Sequence, residues 1–222
     1  MPANEINAIL KKEWQLEMRN RYSLGSILLF VASTIYVCYL SFKQDINETT
    51  WFTLFWIILL FGALNAVSKS FFSENRQRLL YLYTLASPVS VLLGKMIYNI
   101  LLMSATGIIA LLLYVFFVGN KPVEGANMPL FLTTLFLGCA GLSSTFTLLS
   151  AIAAKTNNNL GLMAILGFPL VLPLLAMLIE LSGVAIRGLS WDFALTPLVI
   201  VISLNLLVPA LSVLLFPYLW RD

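Results

Sequence analysis

The chain has 222 residues, 60% of them apolar and 10% charged, with a formal net charge of +3, and its mean hydropathy is +0.92. A globular protein of this size cannot bury that much apolar surface, so the composition excludes a soluble domain and predicts an all-α, polytopic membrane protein, one domain over 1–222. The sequence has no histidine, so His-based triads, His-ligated zinc and His-to-haem bonds cannot be built from this chain alone.

The first 20 residues are polar and charged rather than basic-then-apolar, so no signal peptide is expected. The stretch "NEINAILKKEWQLEMRNRY" predicts an interfacial helix over 4–22. Ile6, Leu10, Trp14, Met18 and Tyr22 repeat every four residues and make an apolar stripe, beside which Glu13 and Glu17 intrude. Trp14 is placed to anchor such a helix at the membrane surface.

A membrane span needs about 20 apolar residues. The long apolar runs place spans at 23–42, 50–70, 93–119, 128–154, 159–180 and 193–219. Of the 13 lysines and arginines, only Lys43, Lys121 and Arg187 fall on one side of that arrangement, and the other ten share the opposite side with both termini. Basic residues mark the cytoplasmic side, so both termini are expected there.

Between spans two and three lies "SENRQRLLYLYTLASP", which predicts a cytoplasmic helix over 73–86. Ser73 suits the N-cap, Glu74 suits the first turn, and Pro88 stops the helix. Leu79, Leu82, Tyr83 and Ala86 recur at helical spacing, with Arg76 and Arg78 near the start. A helix this short and charged cannot span; it can lie on lipid phosphates or present itself to a soluble partner.

Within the spans, Gly138, Gly141 and Ser144, and the pair Gly62 and Ala66, are spaced for close helix approach. Span five carries Pro169 and Pro173 one turn apart, which removes two backbone donors and predicts a kink or pathway element. "ELSGVAIRGLSWD" (180–192) reads as an outward-facing amphiphilic link, with Trp191 an aromatic anchor. Cys38 and Cys139 sit alone in apolar runs without metal or redox spacing. The Gly94-Lys95 pair lacks the upstream glycine and the following Ser or Thr of a nucleotide-binding loop. No charge stands mid-span as an ion relay would require, no arrangement suits an intramembrane enzyme, and no nucleic-acid partner is expected.

The stretches "FFSENRQRLLYLYTLASPVSVLLGKMIYN", "GLSSTFTLLSAIAAKTNNN" and "LGFPLVLPLL" carry a resemblance. Over essentially its whole length the chain resembles ABC-2-type permeases, and within them the haem exporter protein B (CcmB) family of cytochrome c maturation. One departure is that Gln77 and Arg78 stand where many ABC-2 permeases have a glycine shortly after the coupling-loop acid. The resemblance implies a non-catalytic permease subunit in the bacterial inner membrane, which itself binds no cofactor. Its partners would be an ABC ATPase subunit that binds ATP, a haem-handling membrane subunit, a small single-span subunit and a periplasmic haem chaperone, besides the lipid bilayer. Haem would be the cargo of the complex. Glu74, Arg76, Arg78, Leu79, Leu82 and Tyr83 would couple to the ATPase, and ATP hydrolysis would drive haem delivery or release of the loaded chaperone. The alternatives are an ABC-2 permease exporting a polysaccharide, lipid or drug, and a membrane scaffold that recruits an ATPase as a regulator.

Overall fold

The computed structural model describes residues 2–19, 21–42, 46–72, 87–119, 123–155 and 160–220. Among these residues the chain is helical throughout: α1 (Pro2–Arg19), α2 (Arg21–Phe42), α3 (Glu48–Phe72), α4 (Pro88–Val118), α5 (Met128–Lys155), α6 (Leu160–Ile186) and α7 (Trp191–Trp220). All but α1 are long and apolar enough to cross a membrane. The predicted fold class is therefore the observed one.

The starts of these helices follow from local chemistry. Asn47 opens α3, its Oδ1 accepting from the Thr50 amide at 2.8 Å, and Asn127 opens α5 by accepting from the Leu130 amide at 3.3 Å. Both satisfy amides that have no partner within their own helix. Pro88 is the first residue of α4, where a missing N–H costs nothing, and Ser87 is its cap. The helix thus begins five residues before the predicted position 93, because the proline expected to stop one helix also starts the next.

The central element is α5, which packs against α3, α4, α6 and α7, while α2 flanks α3 and α4. In the most apolar stretch of α5, 78% is buried, against 17% for α2 and for α7. Glycine permits the close approaches. A side chain at Gly138 would overlap the Trp56 ring, one at Gly141 would meet Leu174 at 2.7 Å, and one at Gly107 would meet the Cys139 sulfur at 2.7 Å. The prediction of close packing at Gly138 and Gly141 holds; the partnership of Gly107 with Cys139 was not legible.

One end of the α3–α4–α5 interface is filled by rings. Trp51, Phe55, Tyr114 and Phe131 are at most 1% exposed, and Trp51 and Tyr114 meet edge-to-face at 4.9 Å between centroids. The Tyr114 hydroxyl donates to the Trp51 carbonyl at 3.0 Å, and the Trp51 Nε1 donates to the Gly119 carbonyl at 3.2 Å. At the same end the Asn127 backbone N–H donates to the Ala185 carbonyl at 2.7 Å, tying the α4–α5 connection to the last turn of α6. Gly188 turns there with φ of +66°, and a side chain on it would meet the Gly125 carbonyl oxygen at 2.6 Å.

The stretch 180–192 is not a separate amphiphilic link. Its first seven residues complete α6, and Ser182 is buried, accepting a 2.7 Å hydrogen bond from the Trp56 Nε1. The apolar Leu181, Val184, Ala185 and Ile186 all pack into the core there, which holds the segment to the bundle.

Candidate functional site

Polar chemistry in this bundle gathers where α4 begins. The Ser87 hydroxyl caps α4, accepting from the Ser90 amide at 3.4 Å, and its oxygen lies 2.7 Å from the Ser90 hydroxyl. A carboxylate from α1 completes the cap. The Ser87 amide and hydroxyl both donate to Glu5 Oε2, at 3.2 and 3.1 Å. The hydrogen bonds from Ser90 and then Ser87 hold the Glu5 carboxyl below its usual pKa of 4.5. A negative charge at a helix N-terminus is also favoured by the helix dipole.

Further along, Ile9 lies against Gly94 so closely that a side chain at position 94 would come within 2.7 Å of it. Beyond that contact, Lys95 Nζ lies 3.1 Å from Glu13 Oε1, with side-chain exposures of 1% and 12%. Glu17 stands one turn on from Glu13 and so shares its side of α1. The pairs 5 with 87, 9 with 94 and 13 with 95 advance in the same sense, so α1 runs parallel to the first three turns of α4. The 31 residues of α4 extend about 46 Å, against roughly 30 Å of hydrocarbon. The helix is therefore longer than an untilted span requires, which leaves room for this seam at its start.

The seam revises the sequence reading in two respects. Lys95 was counted among the bases of the cytoplasmic side, with no partner foreseen, and it is fully buried in α4. Glu13 and Glu17 were read as intrusions beside an apolar stripe, whereas with Glu5 and Ile9 they form the face of α1 that meets α4. The cues were present: four-residue spacing in Glu5, Ile9, Glu13 and Glu17, and a glycine beside a lone lysine. Their partners lie some 80 residues away, which no local pattern connects.

One turn beyond Lys95, Asn99 continues the polar line. Its Nδ2 donates to Thr147 Oγ1 at 2.9 Å, joining α4 to the central helix, and Thr147 donates to the Ser143 carbonyl at 2.7 Å. On the other side of α5, Asn205 of α7 donates to the Leu137 carbonyl at 3.2 Å. There a small cavity of about 40 Å³ is lined by Gly141 and Thr145 of α5, Pro173 of α6 and Leu204 of α7, among others. It is too small for a ligand, and its lining is almost entirely apolar. Pro169 and Pro173 both stand inside an α6 that is continuous through them; Pro173 lines the cavity and Pro169 does not.

Glu74, Arg76, Arg78, Leu79, Leu82 and Tyr83 lie outside the described residues. The structure describes both flanks of their segment, the end of α3 at Phe72 and the start of α4 at Pro88.

Among the described residues, six membrane-length helices, five of them packed around or beside the buried α5, and a polar seam between α1 and α4 define a polytopic membrane protein. The family model for the CcmB protein matches residues 4–218, nearly the entire chain, and the chain belongs to that family. CcmB proteins are permease subunits of haem exporters in cytochrome c maturation, and the chain is accordingly a multi-pass inner-membrane protein. No curated protein and no solved structure matches it.

Proposed function

We propose that this chain is the membrane subunit through which a separate ATPase drives haem delivery, or release of a haem-loaded periplasmic chaperone, for c-type cytochrome assembly. Both termini and the segment 73–86 face the cytoplasm. Glu74, Arg76, Arg78, Leu79, Leu82 and Tyr83 dock in a cleft of the ATPase, and a haem-handling membrane subunit and a small single-span subunit complete the complex. The chain binds no nucleotide of its own.

The observation that carries this reading is the α1–α4 clamp. The segment 73–86 leads directly into a helix whose first three turns are joined to α1 by the Glu5 cap, the Ile9–Gly94 contact and the Glu13–Lys95 pair. That helix is joined in turn to α5 through Asn99 and Thr147. A push on the segment therefore moves α1, α4 and the central helix together rather than being lost in a flexible joint. Packed interfaces transmit displacement in this way because they do not deform continuously.

Haem staining of c-type cytochromes in cells lacking the gene, with and without a plasmid copy, tests the reading. Loss of stained bands, restored by the plasmid, is expected. Arg76→Glu and Arg78→Glu proteins are expected to insert normally and fail to restore the bands, with ATP hydrolysis by the complex continuing uncoupled. Normal bands in the deletion strain sink the cytochrome role, and full activity of both variants sinks the docking role.

A further inference from the structure

In sequence α1 carries nearly balanced charge, with Glu5, Glu13 and Glu17 set against Lys11, Lys12 and Arg19. In the fold the two signs separate. Glu5 is committed to the α4 cap and Glu13 to Lys95, while Glu17 lies one turn on from Glu13 on the same side of α1. All three acids thus lie on the α4 side. Lys11 and Arg19 are exposed, and Lys12 stays near Glu13 at 3.4 Å.

The apolar side chains divide in the same way. Ile9 is 4% exposed against α4, whereas Trp14 is 62% and Met18 52% exposed. Lys11, Trp14 and Met18 are spaced by three and four residues, so they share one stripe, on the side away from the acids. A tryptophan and a methionine beside a lysine, with Arg19 following Met18 at the flank of the stripe, form a surface suited to the headgroup layer. The rings and thioether enter the acyl boundary while the amine reaches phosphate.

We propose that this outward face of α1 binds an anionic phospholipid surface, and that the α1–α4 seam creates its selectivity by withdrawing the acids that would repel such lipids. Without the seam the same helix presents mixed charge and discriminates little. With it, each exposed base adds roughly five-fold to the preference for an anionic membrane surface. The seam that joins α1 to α4 thereby also sets which lipids α1 can grip.

The test uses the full chain in vesicles and needs no haem chemistry. A polarity-sensitive fluorophore is attached at Met18→Cys, in a Cys38→Ala, Cys139→Ala background, and quenched with neutral acrylamide. Quenching is expected to fall several-fold in vesicles of about 30% phosphatidylglycerol relative to pure phosphatidylcholine. About 0.5 M NaCl should reverse most of that difference. Lys11→Gln with Arg19→Gln should abolish it. A label at Trp14→Cys gives the same readout if the first variant does not fold. Equal quenching in the two lipids overturns the proposal, as does a lipid dependence that survives the double substitution. Protection that appears only when other subunits of the complex are present assigns the face to a protein and also overturns it.

Discussion

Asn99 of α4 donates a 2.9 Å hydrogen bond to Thr147 of α5 and so fixes the helix that follows the segment 73–86 to the most buried helix of the protein. Thr147 keeps its own bond to the Ser143 carbonyl, so losing Asn99 leaves no orphaned hydroxyl there. Asn99→Ala is expected to cost about 1 kcal/mol in detergent unfolding, and a double-mutant cycle with Thr147→Val should recover most of that as coupling energy. Additive effects would show that the two side chains act independently.

The Glu13–Lys95 pair makes a sharper prediction. Lys95→Met leaves a mostly buried carboxylate without its principal cation and is expected to destabilise by about 3–5 kcal/mol. The combination Lys95→Met with Glu13→Leu should be close to neutral, because two apolar side chains replace the pair without an unpaired charge. Equal losses in the single and double variants, measured by thermal unfolding, would show that packing volume and not charge governs the site.

Gly138 faces the ring of Trp56, and that ring is held by its 2.7 Å bond to Ser182. Gly138→Ala should therefore cost about 1–3 kcal/mol, since the ring cannot move aside without losing the bond. Adding Trp56→Leu should recover part of the loss. By contrast, Gly25→Ala meets nothing within 4 Å and is expected to be silent in the same assay.

Protonation of Glu5 should loosen the α1–α4 joint. Its pKa is depressed in the folded protein by the Ser90 and Ser87 hydrogen bonds. The stability it supplies is therefore present above its ordinary value of 4.5 and lost as pH falls through the lower folded value. Thermal melts from neutral pH down to about pH 3.5 should show this decline, and Glu5→Gln should flatten it. An identical slope in the variant would assign the acid sensitivity to other carboxylates.

The six spans were legible because each is a long, predominantly apolar run, and the bilayer allows little else to be done with such a run. Their ends were less so. Pro88 was read as a stop, although Ser87 and Pro88 together also make an N-cap and first residue. The continuation of α6 to Ile186 was hidden because Glu180 and Ser182 look like loop residues until Trp56 is known to reach Ser182 from 126 positions away. The α1–α4 seam was the largest omission. The predicted span 93–119 already held Lys95, but only the packing of α1 shows that it is buried with its counter-charge supplied by another helix. The segment 73–86 was read from helical spacing and charge alone, and its role rests on the flanking helices and the family.

The position of α5 also sets an order of assembly. Chains emerge N-terminus first, so α1 to α4 can pair before α5 exists, including the Glu13–Lys95 joint. Through that interval Trp51, Phe55 and Tyr114 have one another but lack Phe131, and Trp56 lacks Gly138 and Ser182, although all four are at most 1% exposed once the bundle is complete. The newborn half-protein therefore waits in the membrane with its largest side chains against lipid or the insertion machinery, and a ribosome that stalls before residue 128 leaves a fragment that quality control can recognise by those rings.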